Sequence, residues 1–162
     1  MKRPITTIFG AMLVSTITLT GCKTAATSVT PYLSDIVECM GVELDGSQTL
    51  RVSGTGRNKA DAIEQAKKNA VREVIFKGIR QGKQGCNMRP IVNEVNAEER
   101  YEEYFNIFFA DGGEYRKYIS MADERNNSRD KTQAKTFVKY TITVRVLRSE
   151  LKARLKADHV ID

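Results

Sequence analysis

The chain has 162 residues, with 26 Lys and Arg against 20 Asp and Glu, one histidine, three cysteines and no tryptophan. That length holds one domain with a real core. A single histidine near the C-terminal end leaves no Ser-His or Cys-His pair for nucleophilic catalysis, and so few Cys and His residues make no structural zinc set.

The N-terminal residues read as an export signal. Lys2 and Arg3 form a basic start, and Ile8 to Leu19 is an apolar run of about a dozen residues, short of the roughly 20 that span a bilayer. Leu19-Thr20-Gly21-Cys22 looks like a lipobox. Its small residues admit a peptidase to the bond before Cys22, and the Cys22 thiol carries the lipid. On this reading residues 1–21 are a lipoprotein signal peptide, and several acyl chains on Cys22 hold the protein stably to a membrane. Lys23, in place of an aspartate, directs it by resemblance to diderm lipoproteins toward the outer membrane, facing the periplasm. Export also removes nucleic acid as a partner for the net charge of +6.

Residues 22–46 are expected to form the lipidated N-terminus and a tether, and residues 47–162 a single domain. With Cys22 lipidated, Cys39 and Cys86 remain as an even pair in an oxidising compartment. A disulfide between them would close a loop of about 48 residues, worth about 4 kcal/mol on a chain-entropy model; two free thiols are the alternative.

Gln48 to Gly54 alternates as a strand, with Leu50 and Val52 on one side, and Gly54-Thr55-Gly56 reads as the tight turn after it. A third glycine at the spacing of a dinucleotide fingerprint is absent, since that position is Lys59, so phosphate binding is not expected. Asn58 is a helix cap, and the helix runs to about Gly78 with Ala62, Ala66 and Ala70 in one i, i+4 row. An alanine row lets a helix lie close to a sheet. Arg80 to Met88 is a loop, and Pro90 is placed to open a second helical stretch.

Ala97 to Phe109 is expected as a helix whose Tyr101, Tyr104, Phe105, Phe108 and Phe109 form an apolar stripe. Core packing is its favoured role; the alternative is a ligand or partner surface at Tyr101, Tyr104 and Phe108. Glu98, Glu99, Glu102 and Glu103, with Glu94 before them, read as a solvated face rather than a metal site. Glu114 to Ala122 is expected as a strand and Arg125 to Asp130 as a hairpin loop. Thr136 to Leu147 is the clearest strand, alternating Val138, Tyr140, Ile142, Val144 and Val146 with Lys139, Thr141, Thr143 and Arg145. Ser149 is placed to cap a last helix carrying Leu151 and Leu155. The expected class is α+β, a small antiparallel sheet with helices layered on one face.

The run Val52-Ser53-Gly54-Thr55-Gly56, then Ala60, Ala62, Ala66, Ala70, Val71 and Gly78, then an alternating strand and the Leu151/Leu155 helix, resembles a group of small bacterial membrane-associated lipoproteins. It is also similar to the N-terminal domain of a flagellar outer-membrane assembly protein. Residues 80–113 depart from that pattern. The resemblance implies a non-enzymatic envelope protein that serves an outer-membrane assembly, without catalytic residues or cofactor. The expected function is therefore a structural or accessory interaction module with a protein partner in the envelope. The alternative is a periplasmic binding module for cell-wall polymer or a small apolar ligand.

Overall fold

The computed structural model describes residues 36–87, 89–124 and 137–162, together with the backbone of 131–133. The expected signal peptide, Cys22 and the expected hairpin loop at 125–130 lie outside the described residues. The fold is α+β. Along the chain come β1 (Val37–Val42), β2 (Gln48–Gly56), α1 (Lys59–Arg72) running on into a π-helical turn (Glu73–Lys77), and β3 (Gln81–Gly82). Then follow α2 (Ala97–Arg100), α3 (Glu102–Phe108), a 3-10 turn (Glu114–Tyr118), β4 (Ile119–Ser120), β5 (Lys131–Gln133), β6 (Val138–Val146) and α4 (Arg148–Ala157).

These strands make one mixed sheet in the order β3-β1-β2-β6-β4, with β5 also on β6. Every pairing is antiparallel except that of β3 with β1. β2 and β6 form its spine, in register from Gln48 opposite Val146 to Gly56 opposite Val138. Leu50 and Val52 therefore share a face with Val144 and Ile142, and all four are fully buried against the helices. The opposite face is polar but not wet throughout: Ser53, Lys139 and Thr141 are buried on it. The Ser53 hydroxyl there accepts the Ile36 N–H at 2.8 Å.

α1 lies directly on β2. Gly54 and Gly56 belong to the strand itself rather than to a turn after it. A Cβ on Gly54 would sit 2.3 Å from the Ala66 nitrogen and 2.4 Å from the Ala62 oxygen; one on Gly56 would sit 2.5 Å from the Ala62 nitrogen. The alanine row supplies the other half of this approach, with Ala62, Ala66 and Ala70 all fully buried. Asn58 caps the helix by accepting the Asp61 N–H at 3.0 Å, and Asn69 donates from its side chain to the Ser53 carbonyl at 3.1 Å.

At its C-terminal end α1 widens into the π turn, and the carbonyls there find partners outside the helix. Ile91 and Val92 N–H groups donate to the Val74 and Ile75 carbonyls at 3.1 and 2.9 Å. Arg148 reaches the Val74 carbonyl at 3.4 Å and that of Arg89 at 2.9 Å. The stretch directly after Pro90 is thus an irregular segment that satisfies the end of α1, not a second helix. Gly78, at φ 73°, turns the chain out of the π turn.

Four further expectations are corrected. β1 pairs with β2 along Val37–Val42, so the sheet begins about ten residues before the expected boundary at residue 47. The segment from Glu114 is a 3-10 turn before the two-residue β4, because Tyr115 and Tyr118 are both buried and a three-residue repeat puts both on one side. α4 starts at Arg148 without a side-chain cap; the Ser149 hydroxyl donates instead to the Asp45 carbonyl at 3.1 Å, tying α4 to the β1–β2 turn. The expected 97–109 helix is also broken at Tyr101, between α2 and α3.

Gly54→Ala is predicted to destabilise the fold by about 3 kcal/mol. Gly41→Ala, where a Cβ would meet nothing within 4 Å, should stay within about 0.5 kcal/mol of wild type. Urea unfolding of both variants tests this, and equal midpoints would contradict the close approach.

Candidate functional site

Among the described residues, the outer edge of β1 is paired over a short stretch. The strand carries a bulge between Cys39 and Gly41, so the alternation of its side chains slips in mid-strand. Before the slip, Val37 and Cys39 stand on the core face opposite Val52 and Leu50. After it, Val42 stands opposite Gln48, yet it is 43% exposed, with Met40 38% exposed and Leu44 in the following turn fully exposed. β3 covers the outer edge of β1 only at Glu38 and Cys39. The result is a short apolar edge of Met40, Val42 and Leu44 at the rim of the sheet. Beyond it, Asp45 closes the turn by accepting the Ser47 N–H at 2.9 Å and the Ser47 hydroxyl at 2.6 Å.

Cys39 and Cys86 are joined as a disulfide, with Cα atoms 6.4 Å apart. Cys39 is buried in the core, whereas Cys86 is half-buried in the loop after β3.

Tyr101, Tyr104 and Phe108 do not converge on a shared open surface. Phe108 is buried, stacked between Tyr104 at 5.8 Å and Tyr118 at 6.0 Å. Phe105 packs edge-on against Phe76 at 4.7 Å. The half-buried Tyr104 donates its hydroxyl to Asp158 at 2.6 Å. Burial first, and then Asp158, push its pKa well above the usual tyrosine range. Tyr101 lines a groove of about 540 Å³ whose lining also includes Ile91, Val92, Val160, Arg100 and Lys152. His159, the sole histidine, lies at the same groove, exposed and with φ 57°.

A second groove, of about 470 Å³, runs beside α1 over Gly56, Arg57, Asp61, Glu64, Lys68, Asp111 and Arg116. Its charges satisfy one another. Arg57 meets Asp61 at 3.1 Å, Lys68 meets Asp111 at 2.8 Å, and Arg116 meets Glu64 at 2.7 Å. Tyr115 donates its hydroxyl to Glu64 as well. Burial works against the Glu64 carboxylate, but hydrogen bonds from Tyr115 and Arg116 outweigh it and hold the pKa below its ordinary value. Burial and the bond to Glu64 push Tyr115 up to about 12. This is the arrangement of a strut between α1 and the 3-10 turn, not of a poised acid or base.

The acidic helix face is placed in the same way. Glu98 pairs with Arg72 at 2.7 Å, Glu94 pairs with Arg100, and Glu99, Glu102 and Glu103 are exposed. Among the described residues no three Cys, His, Asp or Glu side chains cluster as metal ligands, and no helix is long and apolar enough to cross a membrane.

The edge at Met40, Val42 and Leu44 was not legible as a surface from sequence, because exposed apolar residues and core residues are the same letters. The one available signal was their run into the Asp45-Gly46-Ser47 turn, which marks a hairpin.

Glu64 gives a pH prediction. Its folded pKa lies below the 4.5 of an unperturbed glutamate, so its contribution to stability is present above pH 4.5 and is lost as pH falls through the folded value. Urea titrations from about pH 6 to about pH 3 should show stability falling less steeply for Glu64→Gln than for wild type; equal slopes would contradict the strut.

Compared with protein-family models, with curated proteins and with solved structures, the chain has no significant match. Its function is therefore argued from its own residues.

Proposed function

We propose that this protein is an envelope lipoprotein, anchored to the outer membrane through Cys22 and facing the periplasm, that serves as a structural or accessory interaction module of an envelope assembly. Its partner surface is the outer edge of β1. One observation carries the reading: Met40 and Val42, with Leu44 in the turn that follows, stand exposed on a strand edge that β3 covers for only two residues. An exposed apolar strand edge is a template for another chain, and proteins ordinarily blunt such edges with charge, proline or a covering element. A partner strand laid there gains backbone hydrogen bonds and an apolar contact together. The resemblance to membrane-associated lipoproteins and to a flagellar assembly domain points the same way. So does the internal pairing of the charges beside α1, which leaves that groove without convergent free groups.

A second reading keeps the protein as a binding module for cell-wall polymer or a small apolar ligand. It is favoured by the groove at Tyr101, which sets Ile91, Val92 and Val160 beside Arg100 and Lys152, an apolar floor with polar groups at its rim.

Crosslinking in intact cells, with the adducts identified by mass, separates the two. The double variant Val42→Lys, Leu44→Lys should lose the protein adduct while keeping the wild-type circular dichroism, and Tyr101→Ala should retain it. The reverse pattern would transfer the function to the Tyr101 groove. In the same cells Cys22→Ser should lose its lipid and leave the membrane fraction. A variant that still needs detergent for release would contradict the anchor.

A further inference from the structure

The cover over the outer edge of β1 is slight, and a covalent bond holds it. After the buried Ile79, residues 80–87 cross the sheet edge as a loop exposed at all but Cys86, and beyond it the Ile91 N–H is fixed on the Val74 carbonyl. Every residue from Arg80 to Gly85 is exposed. The loop meets β1 through the two-residue β3 and through the Lys83 N–H, which donates to the Cys39 carbonyl at 2.9 Å. Gly82, at φ 112°, lies so close that a Cβ would fall 2.2 Å from the Cys39 oxygen. Gly85 is also at positive φ, 102°. Ordering an exposed, glycine-containing loop costs more conformational entropy than a few solvent-exposed hydrogen bonds return. What remains to hold it is the bond from Cys86 to Cys39, the same residue whose backbone the loop covers.

We propose that the Cys39–Cys86 disulfide is a redox latch: reduction by a dithiol frees the 80–87 loop and opens the whole outer edge of β1. The two sulfurs differ in access, since Cys86 is half-buried and Cys39 is buried. A thiolate of the dithiol attacks the Cys86 sulfur, the Cys39–Cys86 bond breaks, and its electron pair leaves on the Cys39 sulfur, which takes up a proton. The second thiol of the reductant then attacks its own sulfur in the mixed disulfide. Cys86 is released as a thiol and the reductant closes as an internal disulfide, so two electrons pass to the protein. With the latch closed, the uncovered edge is Met40 to Leu44; with it open, the edge extends back through Val37. The latch stands on this geometry alone, while its use to control partner binding rests on the reading of β1 as the partner surface.

Hydrogen–deuterium exchange on the full chain, oxidised and after dithiothreitol reduction with thiol blocking, tests it. Peptides covering residues 37–42 and 79–87 should exchange at least about tenfold faster once reduced, while those covering β2 and β6 stay protected. Cys86→Ser, which spares the buried cysteine, should behave as the reduced protein does. Unchanged exchange over 37–42 overturns the latch. A rise across the whole sheet overturns it too, since the bond would then be a staple of the entire fold. Crosslinking through β1 is read in parallel. A yield that rises with reduction supports the control of partner binding. A faster edge with no adduct in either state overturns the partner-surface reading and leaves the latch standing.

Discussion

The approach of α1 to β2 is the constraint on which the rest of the structure depends. Backbone meets backbone at Gly54, which faces Ala62 and Ala66, and at Gly56, which faces Asp61 and Ala62. A larger side chain on either side would push the helix off the sheet. Because α1 is held there, Val71, Val74 and Ile75 reach the same core as Leu50, Val52, Ile142 and Val144. The π turn then presents its carbonyls to Ile91, Val92 and Arg148. The aromatic helices fill the remaining space beside α1, where Phe105, Phe108 and Phe109 pack with Tyr115 and Tyr118.

That arrangement buries one end of the sheet's cross-section and leaves the other lightly guarded. On the β6 side, among the described residues, β4 and β5 pair with the two ends of the strand, and a carboxylate meets its middle: Glu124 accepts the Thr143 N–H at 2.6 Å. A charged group thus blunts that edge, as edge strands commonly require. On the β1 side apolar residues stand outside, and the cover is a short loop fixed by a disulfide. The contrast between the two edges supports the proposal that β1 is the partner surface.

Much of this fold was legible in the sequence where one physical requirement dominates a segment. The alanine row of α1 and the two-residue period of β6 each admit one reading, and Asn58 caps where its position before the helix suggests. The arithmetic of three cysteines, with one assigned to lipid, led to the Cys39–Cys86 pair. β1 was hidden because its bulge at Met40 breaks the period that identifies a strand. The 3-10 turn was hidden because Tyr115, Tyr118 and Ile119 can be aligned with a strand as easily as with a three-residue repeat. For Tyr101, Tyr104 and Phe108 the spacing describes a helix face equally well whether that face is core or binding surface. Only packing separates them, placing Phe108 inside and leaving Tyr101 at a groove.

The central claim is that the apolar rim of β1 is the face this protein offers to a partner. A photo-activatable residue placed in turn at positions 42, 44, 65 and 107, in intact cells, tests it most directly. Position 65 probes the α1 groove, and Ile107 is an exposed apolar residue away from β1. The account predicts that positions 42 and 44 give adducts to the same envelope protein and that 65 and 107 give none. Adducts confined to 65 or 107 would contradict it.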